Sequence, residues 1–173
     1  HNISCLFGWD QLCFFFQDRG KQAWVGYDHT GRHPQLTRLQ IDPGTPSAAQ
    51  RALEQKGVVT WPEAATELES IFEAQVGRIL NSEVVYYLPL IAEQEALGIV
   101  CIGTSTERNE EPQAQATFLQ MIADQIAKDL KGIMQVEART TQAPMSSEEL
   151  EYNLRTTVHE INNPLSIINN YLH

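Results

Sequence analysis

The feature that most constrains this chain is a helical repeat near its end. Leu154, Val158, Ile161, Leu165, Ile168 and Leu172 recur in steps of four, three, four, three and four, the a/d seam of a helical coiled coil or bundle. At roughly 100° per residue, His159, Asn163, Ser166 and Asn170 gather on the opposite side. Such a helix buries one face against a partner and shows water an imidazole flanked by amides and a hydroxyl. The seam predicts pairing with a second copy, and two-fold symmetry is the usual outcome.

His159 is followed at once by Glu160. A carboxylate beside an imidazole can hold its tautomer and accept its proton, and neutral imidazole is a competent nucleophile near pH 7 that forms covalent intermediates. Pro164 stands inside the helical pattern, where it costs ~3 kcal/mol and clashes with the carbonyl four residues earlier, so a bend just after the histidine is expected. A zinc motif of the His-Glu-x-x-His type would need a second histidine one turn on, and that position is Asn163.

His-Glu-Ile-Asn-Asn-Pro-Leu, residues 159–165, resembles the H-box of sensor histidine kinases, whose usual form is His-Glu-Leu-Arg/Lys-Thr/Asn-Pro-Leu. The resemblance implies that His159 is the phosphoacceptor, Glu160 the acid/base residue beside it, and Asn163 the residue that orients water when the partner regulator is dephosphorylated. Asn162 departs from the common Arg/Lys, which alters local charge at the surface a partner would read.

Composition narrows the classes. The 173 residues suffice for one core and a helical extension. Forty-two per cent are hydrophobic and 20% charged, as in globular rather than disordered chains. Twelve basic against 22 acidic residues give a net charge of -10, which disfavours direct nucleic-acid binding. No apolar run is long enough to span a bilayer, the best being broken by Glu93 and Glu95. Cys5, Cys13 and Cys101 are odd in number with no Cys-x-x-Cys spacing, so free thiols in a reducing, cytoplasmic compartment and no metal site are expected. With neither a signal peptide nor an initiator Met, the chain reads as a piece of something longer.

Ahead of the terminal helix the pattern alternates strand and helix. Residues 1–9 read as the end of an entering helix. Leu12–Phe16 and Gln22–Tyr27 read as strands, Leu36–Ile41 as a weak one. Ser47 opens a short helix to about Lys56, with Gly57 as its stop. Val58–Trp61 is a strand, and Leu68, Ile71, Phe72, Val76, Ile79 and Leu80 repeat at helical spacing over about Glu63–Leu80. Val84–Ile91 and Ala96–Thr104, joined by Ala92–Glu95, form the clearest hairpin. Pro112 and the acidic residues before it open a long amphipathic helix through Phe118, Ile122, Ile126, Leu130 and Ile133 to about Glu137. Ala138–Met145 is polar with Pro144, and Ser146 with Glu149 forms a capping box.

The expected fold class is α+β: an antiparallel sheet flanked by helices, then a long helix, then a coiled-coil or bundle helix. The chain divides into three segments, 1–137, a linker 138–146 and a truncated helix 147–173. The order, and above all Val85–Leu90 followed by Leu97-Gly98-Ile99-Val100-Cys101-Ile102-Gly103, resembles a GAF domain over about Cys5–Leu130, with a PAS domain as the rival. The resemblance implies a small-molecule site between sheet and helices, its ligand unknown, with Phe14, Phe16, Trp24, Trp61, Phe72, Tyr86 and Cys101 as candidate lining; the same residues are also ordinary core material. Bilin-binding relatives carry a cysteine beside a histidine, which neither Cys13 nor Cys101 has, and the Asn-Lys-x-Phe-Asp-style signature of cyclic-nucleotide binders is absent.

Together the two resemblances imply the sensor and phosphoacceptor part of a two-component histidine kinase: a homodimer, partnered by a response-regulator receiver domain, signalling through its helices. ATP and Mg²⁺ would belong to a separate catalytic domain, so this stretch needs no cofactor of its own and should be inactive alone. The alternative is a non-enzymatic GAF- or PAS-type ligand-binding or dimerisation module.

Overall fold

The computed structural model describes residues 11–18, 20–28, 31–42, 44–62, 70–104 and 112–140. The expected helix at 147–173, with His159, Glu160 and Asn163, lies outside them, as do residues 1–9, 63–69 and, of the expected linker 138–146, residues 141–146. The described part is a six-stranded sheet with helices on both faces. In chain order the elements are β1 (Leu12–Asp18), β2 (Ala23–Tyr27), a 3₁₀ turn (Pro34–Arg38), β3 (Gln40–Ile41), α1 (Ala48–Gln55), β4 (Val59–Trp61), α2 (Ile71–Ile79), β5 (Val84–Ala92), β6 (Glu95–Thr104) and α3 (Pro112–Thr140). Across the sheet the order is β3-β2-β1-β6-β5-β4, with every pairing antiparallel.

Side-chain alternation explains why the central strands read as unbroken apolar runs. Along β1, Phe14 and Phe16 face one side, while Cys13 and Phe15 face the other. Along β5, Tyr86, Leu88 and Leu90 share the first side, and Val85 and Tyr87 the second. Both sides are covered, so neither parity can be polar. On the first side lies α3, burying Leu119, Ile122, Ala123, Ile126, Ala127 and Leu130, a stripe at helical spacing. On the second, α1 contributes Ala48, Ala49 and Ala52 and α2 contributes Val76; methyl-sized side chains let α1 lie close to the strands.

Two local readings are corrected. Leu36–Ile41 is not one strand: Pro34 opens a 3₁₀ turn that buries Leu36, and only Gln40–Ile41 pairs, with β2. An added Cβ on Gly26 would collide with the Leu36 carbonyl, so a residue without a side chain is required where this turn crosses β2. At the end of α1, Lys56 rather than Gly57 takes the left-handed conformation (φ 53°), and the Gly57 N–H donates to the Ala52 carbonyl at 3.3 Å. At the other end of the domain, α3 continues to Thr140, a few residues past Glu137.

The β5–β6 hairpin turns through two residues, Glu93 (φ 50°) and Gln94 (φ 69°). Both are left-handed, as a tight hairpin matching strand twist demands, and neither is the Asn or Gly that tolerates this best. The double change Glu93→Asn with Gln94→Gly is expected to raise stability by about 1 kcal/mol, seen as a higher urea midpoint at unchanged slope. The exposed hydrogen bond from Lys56 Nζ to Gln94 Oε1 would be lost, at little cost.

Candidate functional site

Two serine-capped helices meet on the face of the sheet away from α3. Ser47 caps α1, its Oγ accepting from the Gln50 N–H at 3.0 Å, and Ser70 caps α2, its Oγ accepting from the Glu73 N–H at 3.4 Å. In Ser70-Ile71-Phe72-Glu73 the spacing is that of a capping box. The Glu73 side chain instead crosses to the other helix, where its Oε1 accepts from the Ala48 N–H at 2.5 Å. Glu73 is 1% exposed. An acceptor carboxylate at a helix N-terminus is doubly favoured, by the orphan N–H groups and by the helix dipole.

Beside this junction is a cavity of about 320 Å³, of a size that suits small-molecule sites. Its lining comes from the loop Gly44–Ser47, from Ala48, Gln50, Arg51 and Glu54 of α1, from Trp61 of β4, and from Ser70 and Glu73 at the start of α2. One guanidinium, two carboxylates, hydroxyls, an amide and an indole surround it. That inventory suits a small polar molecule with a flat portion, held by hydrogen bonds to Arg51 and the hydroxyls and by stacking on Trp61.

Of the candidate lining residues, Trp61 alone borders this cavity. Phe14, Phe16 and Tyr86 lie on the opposite face, packed under α3, with the rings of Phe14 and Phe16 stacked at 5.9 Å. Trp24, Phe72 and Cys101 are on the cavity's side of the sheet but within the apolar layer, Phe72 meeting Phe15 edge-on at 5.4 Å. Sequence reasoning missed Arg51 and Glu73. The two Ser-x-x-Gln/Glu strings at Ser47 and Ser70 were the available signal, since each marks a helix N-terminus, although not that the two meet.

Behind Glu73 a row of side chains crosses the sheet: Cys13 opposite Cys101, Cys101 opposite Tyr87, and Tyr87 opposite Val59. The Tyr87 hydroxyl is buried and has no hydrogen-bond partner among the described residues. Burial foremost, then the nearby Cys101, Glu73 and Cys13, push its phenol well above the usual tyrosine range. Below about pH 10 the phenol is neutral in both folded and unfolded chains, so no penalty arises. Above it the unfolded chain ionises first, and stability is lost as pH climbs toward the folded value. Tyr87→Phe removes an unsatisfied buried hydroxyl and is expected to add about 1 kcal/mol at neutral pH. It also moves alkaline unfolding to higher pH, followed by circular dichroism alongside phenolate absorbance.

Two polar links join the sheet strands to α3. The Val58 N–H, at the head of β4, donates to Gln120 Oε1 of α3 at 3.1 Å, and Lys131 of α3 binds Glu95 at the start of β6. No helix among the described residues is long and apolar enough to cross a membrane, and no cluster of three or more His, Cys, Asp or Glu among them is placed to hold a metal ion.

No family model matches the sequence, and no curated protein matches it. Solved structures do match the fold. The GAF domain of a two-component sensor histidine kinase from Bacillus halodurans superposes with TM-score 0.56 at 17% identity, covering 73% of this chain and 84% of that one. The GAF domain/HD domain protein from Geobacter sulfurreducens superposes with TM-score 0.54 at 11% identity, covering 71% and 81%. The α+β fold is therefore GAF-like, in agreement with the reading of the closing hairpin.

Proposed function

We propose that this chain is the sensory and phosphoacceptor part of a cytoplasmic, homodimeric two-component histidine kinase. In this reading a small molecule occupies the Arg51–Trp61–Glu73 cavity, and its presence controls phosphorylation of His159 by an ATP- and Mg²⁺-binding catalytic domain elsewhere in the protein. Glu160 acts as the acid/base residue, Asn163 orients water in the reverse reaction, and a response-regulator receiver domain takes the phosphoryl group.

The observation that carries the proposal is the string His-Glu-Ile-Asn-Asn-Pro-Leu on a heptad-patterned segment, downstream of a GAF-like domain that ends in a long helix. The route between the sites is mechanical. An occupant pressing on Trp61 loads β4, whose neighbouring Val58 N–H is bonded to Gln120; α3, packed on the sheet, then shifts as a body relative to the H-box segment. Only a ligand that binds one arrangement better than the other can bias the switch.

The test is made on the full-length protein. Incubated with Mg²⁺ and ATP, it should acquire acid-labile, base-stable phosphate that peptide mass mapping places on His159. A folded full-length protein that acquires none, or carries it on another residue, overturns the kinase reading and leaves the non-enzymatic binding module. Native mass spectrometry of the purified sensor domain should in turn show a co-purified small molecule, displaced in Trp61→Ala.

A further inference from the structure

Cys13 and Cys101 are directly opposed on the neighbouring central strands β1 and β6. Opposed residues of an antiparallel pair point to the same face with Cβ atoms about 4.5–5.5 Å apart, and a disulfide needs about 3.5–4.5 Å. Each side chain lies in the same buried layer of the sheet, near enough for Cys13 to raise the Cys101 thiol's pKa. Both are fully buried and free. A single buried cysteine is ordinarily a small hydrophobe; two directly opposed in register and buried in one layer, in a chain with only one other cysteine, form a dithiol.

We propose that Cys13 and Cys101 form a reversible disulfide across β1 and β6 when the folded chain meets a peroxide. In the first step one thiol sulfur attacks a peroxide oxygen, the O–O bond breaks, and a sulfenic acid and one water result. In the second the other sulfur displaces the sulfenic hydroxyl, which leaves as a second water with the remaining thiol proton. Two thiols and one hydrogen peroxide become one disulfide and two waters; the sulfurs lose two electrons and the peroxide gains them. A dithiol reductant reverses the bond by exchange.

Both thiols lie on the face of the sheet that carries the cavity. Glu73 is part of its wall and is near enough to Cys101 to act on it electrostatically, while burial holds Cys101 as the thiol. Oxidation is therefore slow and waits on small openings of the packing around it, where a molecule the size of hydrogen peroxide passes and a bulky alkylating agent does not. The bond would tie the first strand of the domain to the strand that leads toward α3, on the face that carries the cavity. The step does not depend on the cavity's ligand or on His159.

The folded chain is treated with hydrogen peroxide, quenched with catalase, then denatured in N-ethylmaleimide. The expected result is one alkylated cysteine instead of three, a peptide pair joined through Cys13 and Cys101 that is lighter by two hydrogens, and all three thiols recovered after dithiothreitol. Cys5→Ala should retain the joined pair and Cys101→Ala should lose it. Three alkylated cysteines after peroxide overturn the proposal. So does a linkage through Cys5 or between two chains, recovery of Cys13 and Cys101 as separate sulfinic acids, or a pair that forms only once denaturant is present. The wild-type measurement decides without relying on either variant folding.

Discussion

Full-length protein carrying His159→Gln is expected to show no acid-labile phosphate above background, with its helix content and oligomeric state unchanged. Glutamine keeps a polar side chain of similar reach on the polar side of the heptad pattern, so the proposed pairing through Leu154, Val158, Ile161 and Leu165 would be untouched. What goes is the nucleophilic ring nitrogen, which no amide replaces. Glu160→Gln separates catalysis from acceptance. It retains the imidazole and removes the adjacent base, so phosphorylation is expected to slow by roughly 10²-fold while still ending on His159. Phosphate retained in His159→Gln would place the acceptor elsewhere; an unaltered rate in Glu160→Gln would remove the acid/base role. Both are read as initial rates of phosphate incorporation from labelled ATP.

In the sensor domain, Glu73→Ala is expected to cost about 3 kcal/mol of folding stability. The carboxylate is 1% exposed and accepts from the Ala48 N–H, 25 residues away, at 2.5 Å. Alanine leaves that N–H, at the positive end of α1, buried without its acceptor, and leaves a void against the cavity. Glu73→Gln keeps an oxygen for the same N–H and gives up the charge, so about 1–2 kcal/mol is expected. Urea unfolding at neutral pH measures both. An alanine cost below that of glutamine would mean that the buried carboxylate is a net burden that α1 does not need. Because Glu73 fixes the relation of α1 to α2, the same variant should weaken whatever the cavity holds, even with Arg51 and Trp61 in place.

Much of the domain was legible from short-range pattern. The β5–β6 hairpin, β1 and β2 were found because apolar strands bounded by turn residues leave a local signature, and α3 because Phe118, Ile122, Ile126, Leu130 and Ile133 recur at helical spacing. Leu36–Ile41 was misread for the converse reason. A single buried leucine next to a two-residue strand carries too few positions for any period to show. The candidate lining named from the sequence and the lining of the cavity differ in kind. Aromatic content pointed to Phe14, Trp24, Phe72 and Tyr86, all of which are packed in one apolar layer or the other, and to Trp61, which does border the cavity, whereas the rest of the cavity wall is made of helix ends with Arg51 and Glu73. Aromaticity measures burial, and burial is not access.

The sequence by itself determined which residues of a strand share a face, since parity is a property of the extended backbone, and it carries the His159–Leu165 string on which the kinase proposal rests. It could not say that β1 lies against β6, so that Cys13 meets Cys101 from the far end of the domain. Nor could it bring the Glu73 carboxylate to the first turn of α1. Those contacts depend on strand order and on how closely alanines let a helix approach a sheet, and only the folded chain sets both.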